Sequence, residues 1–242
     1  MENSGHIALS RQMAVSREIK VIANNLANLS TNAYKSETVA FVEYLRETDS
    51  GEQISFAQDI GLIRDLTEGK KFETSNSLDL AIAGDAYFEV ETELGARYTR
   101  NGAFRLNSDG ELVTQHGHPV MSDQETPIII PGNSQSIKIS RDGTISAGEG
   151  SLGRIKMVKF EQENALQKMA GGLYDAGDQA PEEAVGAELL QGMLEGSNVN
   201  GISEITRMME AMRGYTSVSK MIKQEDERQR QAIRQLGGSQ AV

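Results

Sequence analysis

The 242-residue chain has no cysteine and no tryptophan, four prolines and three histidines. Without cysteine there can be no disulfide, no thiol nucleophile and no thiolate-bound zinc. Nor is there a run of the ~18 apolar residues that a membrane-crossing helix needs, so a membrane-inserted chain is excluded. The opening Met1-Glu2-Asn3-Ser4-Gly5-His6 lacks a basic stretch followed by an apolar block, and a removable secretory signal is therefore not expected. Basic charge is scarce: 24 Lys and Arg against 35 Asp and Glu leave a net charge of −11. That balance argues against a nucleic-acid partner, which would need clustered cations for its phosphates. At 38% hydrophobic the core must be lean, and the length suits one large or two modest domains of ~100–200 residues.

Catalytic patterns are missing as well. No serine sits in a G-x-S-x-G elbow, and no glycine-rich loop ends in Gly-Lys-Ser/Thr. Asp65, Asp79, Asp85 and Asp109 are scattered among turn residues, so a carboxylate-pair enzyme has no support. His116 and His118 could share one face of a strand, but no carboxylate cluster completes a metal site beside them, and Gly117 between them reads as a turn. No catalytic residue, cofactor, metal or small-molecule substrate is expected.

What is present is a division of charge. Residues 1–35 carry four Lys and Arg against two Glu, and residues 202–238 carry seven against five. The centre holds the whole acidic surplus, so the two ends belong together and the centre forms another body.

Periodicity agrees. Val15, Ile19, Ile22, Leu26 and Leu29 recur in steps of 4 and 3, extended backwards by Ala8 and Gln12. That 3.5-residue period is the seam of a helix lying along another helix. Ser30-Thr31-Asn32 should end it, because these side chains compete for the backbone's hydrogen bonds. Near the other end, Ile205, Met208, Met212, Tyr215, Ser219, Ile222, Asp226, Gln229, Ile233 and Leu236 follow the same alternation. Gly237-Gly238 should stop that helix. Some 35 residues would make a rod of about 50 Å, too long for an ordinary globule to cover. It needs a partner.

Between the ends, short apolar runs alternate with turns. Asp109-Gly110 and Asp142-Gly143 each lie between alternating strands and predict hairpins. Ile128–Ile130 and Ile155–Phe160 read as further strands, and residues 161–186 as an irregular acidic stretch. Residues 36–69 are read as an extended linker. The sharpest local signal is Asn24-Asn25-Leu26-Ala27-Asn28. Three Asn in five helical positions are costly, and amides at such positions can fix the register of packed helices.

Asn24-Asn25-Leu26-Ala27-Asn28, with Thr31, Tyr34 and Lys35, resembles the N-terminal signature of the flagellar rod and hook protein family. Leu78-Asp79-Leu80-Ala81-Ile82 with Gly84, Phe88 and Val90 is similar too. So are Tyr98-Thr99-Arg100-Asn101-Gly102 with Phe104, the run from Gly110 through Leu112-Val113-Thr114 to Gly117, and Leu194-Glu195 with Ser197-Asn198-Val199. One departure is Ala33, which stands where the family pattern has Gly. The resemblance implies an axial structural subunit of the bacterial flagellar basal body, exported unfolded through the flagellum's own type III apparatus. It also implies that the subunit assembles helically with copies of itself and with other rod proteins, inside surrounding ring proteins. Chain length suits the proximal rod component, with the distal rod component as the alternative. A periplasmic ligand-binding module is the competing reading from another class.

The expected fold is therefore α+β. Residues 1–35 and 197–238 would form a coiled-coil-like helical domain, and residues 70–190 an inserted β-rich domain, with 239–242 a flexible tail. Subunit packing is expected to use Val15, Ile19, Ile22, Asn24, Asn25, Leu26, Asn28, Leu29, Ile205, Met208, Met212, Tyr215, Ile222, Ile233 and Leu236.

Overall fold

A computed structural model describes residues 2–47, 53–132, 137–148 and 150–238. The chain is α+β, with a helix near each end and a β-rich middle. It divides into two compact units: residues 1–28, 37–65 and 199–242 form the first, and residues 29–36 with 66–198 the second. The tail at 239–242 lies outside the described residues.

In the first unit, helix α1 spans Glu2–Ala27 and helix α2 spans Gly201–Gly238, and the two pack together. Asn200 starts α2: its Oδ1 accepts from the Ser203 N–H at 3.1 Å, satisfying a first-turn donor that the helix cannot. Glu204, one turn in, also suits the positive end of the helix dipole. Ile22 is wholly buried, and Gln12, Val15, Ile19 and Leu26 are half-buried along the expected stripe. Leu29 is not part of it, because α1 stops at Ala27 and leaves Leu29 exposed.

The stripe on α2 needs a larger correction. Its buried positions are Glu204, Ala211 and Val218, seven residues apart, flanked by half-buried Met208, Ser219 and Ile222. Ile205, Met212, Tyr215 and Ile233, expected in the seam, are exposed; so are Asp226 and Gln229. The side chain of Leu236 lies outside the described residues. The expected seam followed the largest apolar side chains. Close approach of two helix backbones favours small ones instead, and Ala211 and Val218 take the inner face.

Residues 36–69 are more than a linker. Strands β1 (Glu37–Glu47) and β2 (Gln53–Arg64) form an antiparallel hairpin in register from Glu37 opposite Arg64 to Glu47 opposite Gln53. A bulge after Ala40 interrupts it, and Gly61, opposite Ala40, takes the positive φ of 142° that goes with the irregularity.

The second unit is antiparallel throughout. Its largest sheet has six strands, with β5 (Tyr87–Thr92) and β6 (Gly95–Thr99) in the middle. Alternation along β5 feeds both faces. Phe88 and Val90 join the main core with Phe104, Leu112 and Ile145, while Tyr87 packs with Tyr98, Phe160 and Tyr174 on the other side. The aromatic contacts are edge-to-face, with centroids 4.7 to 5.9 Å apart. Both Asp-Gly hairpins form: Phe104–Leu106 pairs with Leu112–Thr114, and Ile137–Ile139 with Thr144–Ala147. Gly110 and Gly143 sit at their turns with φ of 80° and 89°. Ile128–Ile130 makes only an isolated bridge at Ile129, although Ile128 and Ile130 are buried.

Two short pairings close this unit. Strand β3 (Lys71–Glu73) pairs with Met193–Glu195, and β4 (Leu80–Ala83) pairs with Glu188–Gln191. The body accordingly reaches past residue 190 and takes in residues 29–36.

Candidate functional site

The three asparagines near the end of α1 do different work. Asn28 Nδ2 donates to the Asn24 carbonyl at 2.8 Å and to Asn24 Oδ1 at 3.2 Å. Both residues finish the helix. Asn25 is buried and acts at longer range. Its Nδ2 donates to the Glu37 carbonyl at 2.8 Å and to Glu204 Oε2 at 3.1 Å. Its Oδ1 accepts from the Glu37 N–H at 3.0 Å. One amide side chain thus pairs with the start of β1 as a strand backbone would, and also holds the first turn of α2. Glu204 Oε1 takes a further bond from Arg207 at 2.8 Å, and Arg207 faces Glu18 of α1 at 3.8 Å. A buried carboxylate is tolerable because it is fully engaged.

The second unit has its own charged interior, and no role could be assigned to its residues from sequence alone. Lys35 and Glu195 are each 2% exposed and meet at 2.7 Å. Lys35 Nζ also donates to the Thr67 carbonyl at 2.7 Å. Arg100 Nε reaches Glu195 Oε2 at 3.1 Å, and its Nη1 donates to the Gly84 and Ala86 carbonyls, both at 3.1 Å. Burial holds the Lys35 ammonium below its ordinary value; the hydrogen bond to Glu195 opposes the shift and the nearby Arg100 charge adds to it. Around this group the Tyr34–Ser36 segment is tied to residues 195–198. Ser36 N–H donates to Asn198 Oδ1 at 2.7 Å, and Asn198 N–H to the Tyr34 carbonyl at 3.2 Å. Gly69 allows the close approach: a Cβ there would collide with the Gly196 carbonyl oxygen.

The expected packing residues thus separate. Val15, Ile19, Ile22, Asn25 and Leu26 face inward or partly so, with Met208 and Ile222 on α2, whereas Asn24, Ile205, Met212, Tyr215 and Ile233 are exposed. Sequence reasoning missed Lys35, Arg100, Glu195, Glu204, Ala211 and Val218. The first three do sit inside the recognised motifs, which was the available signal. On α2 the exposed residues Ile202, Ile205, Met209 and Met212 recur in steps of 3, 4 and 3, which places them on one face.

His116 and His118 line an open cleft of about 660 Å³ with Glu91, Glu93 and Arg97. Among the described residues no three His, Asp or Glu side chains come together to hold a metal. Likewise, no described helix is long and apolar enough to cross a membrane.

The first unit is thus built from both chain ends and presents an exposed apolar face on α2. Three family models match in order along the chain. Residues 6–35 match the flagella basal body rod protein model, residues 81–147 the flagellar hook protein FlgE/F/G D1 domain, and residues 190–235 the flagellar basal body rod FlgEFG protein C-terminal model. The chain is 36% identical to the flagellar basal-body rod protein FlgF of Caulobacter vibrioides, over 98% of this chain and 99% of that one. It is 31% identical to FlgF of Mesorhizobium japonicum over the same shares. Against the rod protein FlgG of Agrobacterium fabrum it is 32% identical over 91% of this chain and 94% of that one. The chain belongs to the flagellar basal-body rod protein family, a family of structural proteins, and within it is FlgF-like.

Proposed function

We propose that this chain is a proximal-rod subunit of the flagellar basal body, assembling helically with copies of itself and with other rod proteins so that the rod transmits torque passively. Export through the flagellar type III apparatus belongs to the same reading. The observation that carries it is the exposed face of α2. Ile202, Ile205, Met209 and Met212 are each about half exposed or more, on a helix whose opposite face is already packed. Covering such a stripe recovers roughly 25 cal/mol per Å² of apolar surface, and repeated contacts that do not close into a ring propagate a helix. The full-length match to FlgF proteins favours the proximal over the distal rod.

The test is a Met209→Glu, Met212→Glu double variant expressed in place of the native chain. The purified variant should keep its helix content and melting behaviour, because both side chains are exposed, while cells lose rods and motility. Motile cells with intact rods carrying the variant would rule out this face as an assembly surface.

A further inference from the structure

Glu195 is the only carboxylate that contacts both buried cations of the second unit among the described residues. Its Oε1 accepts from Lys35 Nζ at 2.7 Å and from the Gly69 N–H at 2.9 Å, and its Oε2 accepts from Arg100 Nε at 3.1 Å. Its own carbonyl accepts from the Ala33 N–H at 2.8 Å. Three segments, at residues 35, 69 and 100, therefore close on one side chain, and Ala33 holds the backbone of the same residue. Apart from it, the cations have the backbone carbonyls of Thr67, Gly84 and Ala86. Glu68 stands 3.6 Å from Arg100 but is 34% exposed and is shared with Lys71.

The slot without Glu195 would bring two like charges into a space almost closed to water. Desolvating unpaired cations is among the most expensive things a folding chain can do. The partners are also ordered unequally along the chain. β5–β6 and the 104–114 hairpin pair neighbours in sequence, whereas β3 and β4 pair with residues 188–195, more than a hundred positions away. Local pairings close at lower entropic cost than distant ones.

We propose that Glu195 is the closing element of the second unit: residues 33–36, 67–73 and 193–198 lock together in one late step, when this carboxylate enters the slot between Lys35 and Arg100. The local hairpins form before that step and do not depend on it. Glu195→Gln keeps the shape of the side chain and removes the charge both cations need. Adding Lys35→Met removes the surplus cation and eases the defect.

Pulsed hydrogen exchange during refolding of the full-length chain tests this, with the wild type, Glu195→Gln and Glu195→Gln with Lys35→Met compared. In the wild type, the amides of Ala33, Ser36, Gly69 and Gly196 should gain protection together, after those of β5 and β6. In Glu195→Gln these four should exchange roughly tenfold faster or more at equilibrium, with β5 and β6 still protected, and the double variant should recover part of the loss. Protection at Ala33 and Ser36 that precedes Gly196 in the wild type would overturn the proposal. So would an unchanged exchange pattern in Glu195→Gln, or a double variant no better than the single. Should Glu195→Gln unfold the unit altogether, the order of protection in the wild type still decides.

Discussion

Asn25 and Glu204, 179 positions apart, are joined by a buried hydrogen bond of 3.1 Å that fastens the last turns of α1 to the first turn of α2. The same amide is bonded twice to the backbone of Glu37. Asn25→Ala should therefore remove the hydrogen bonds to the Glu37 N–H, the Glu37 carbonyl and the Glu204 carboxylate. At about 1 kcal/mol for each buried bond lost, the cost to the first unit is about 3 kcal/mol. Asn25→Asp should be worse at neutral pH, because it sets a second carboxylate against Glu204. Urea denaturation followed by helical circular dichroism checks both. An Asp variant as stable as the wild type would mean that the amide donor at this position is dispensable.

Ala33 has a φ of 55°, in the left-handed region where a Cβ is disfavoured by about 1–2 kcal/mol. It also donates its N–H to the Glu195 carbonyl, so the conformation is fixed by the fold. Ala33→Gly should raise the stability of the second unit by about 0.5–1 kcal/mol, after allowing for the lost methyl and the freer unfolded chain. A denaturation midpoint that stays or falls would count against a backbone cost here.

The register of α2 makes a paired prediction. Ala211 is 8% exposed and Met212 is 56% exposed, though they are neighbours in sequence. Ala211→Leu should overfill the helix contact and cost about 1–3 kcal/mol, whereas Met212→Lys should stay within about 0.5 kcal/mol in the isolated chain. The reverse order, measured by thermal unfolding, would restore the seam drawn from the largest apolar residues.

Lys35 gives the second unit a pH dependence. Its ammonium is held below the ordinary lysine value of 10.5 by burial, against the hydrogen bond it donates to Glu195, with Arg100 lowering it and the charges of Glu195 and Glu68 raising it. Between the folded-state value and 10.5 the unfolded chain binds more protons at this site, so stability rises with pH across that window. Below it the desolvation cost is fully present. Wild-type stability measured relative to Lys35→Met should therefore improve between neutral pH and pH about 10, the other groups cancelling in the difference. A difference that is flat or falls would show that the lysine titrates as it does in the unfolded chain.

Much of this architecture is legible in the residues. The 3.5-residue recurrence from Val15 to Leu26 marks the inner face of α1, and Asp109-Gly110 and Asp142-Gly143 mark their hairpins, because each signal is local and tied to backbone geometry. The face of α2 is not legible in that way. Two apolar stripes run along it, and the choice between them depends on how closely α1 approaches. The hairpin at 37–64 escapes notice because its strands mix charged and apolar residues with little contrast. The Lys35–Arg100–Glu195 group is invisible for a different reason. Nothing in a sequence says that three charges, at positions 35, 100 and 195, will share one dry space.

Thr67 and Asn198, hydrogen-bonded at 3.0 Å, also lie at the two ends of the long stretch, residues 66–198, by which the chain passes into the β-rich body and out of it. Their adjacency makes that body a cassette. A segment whose two ends touch can be lengthened, shortened or exchanged without changing the distance its flanking chain must span. The helical ends and the β-rich middle are therefore free to change at different rates. A chimaera that joins Thr67 to Asn198 around a different β body keeps the same mounting points.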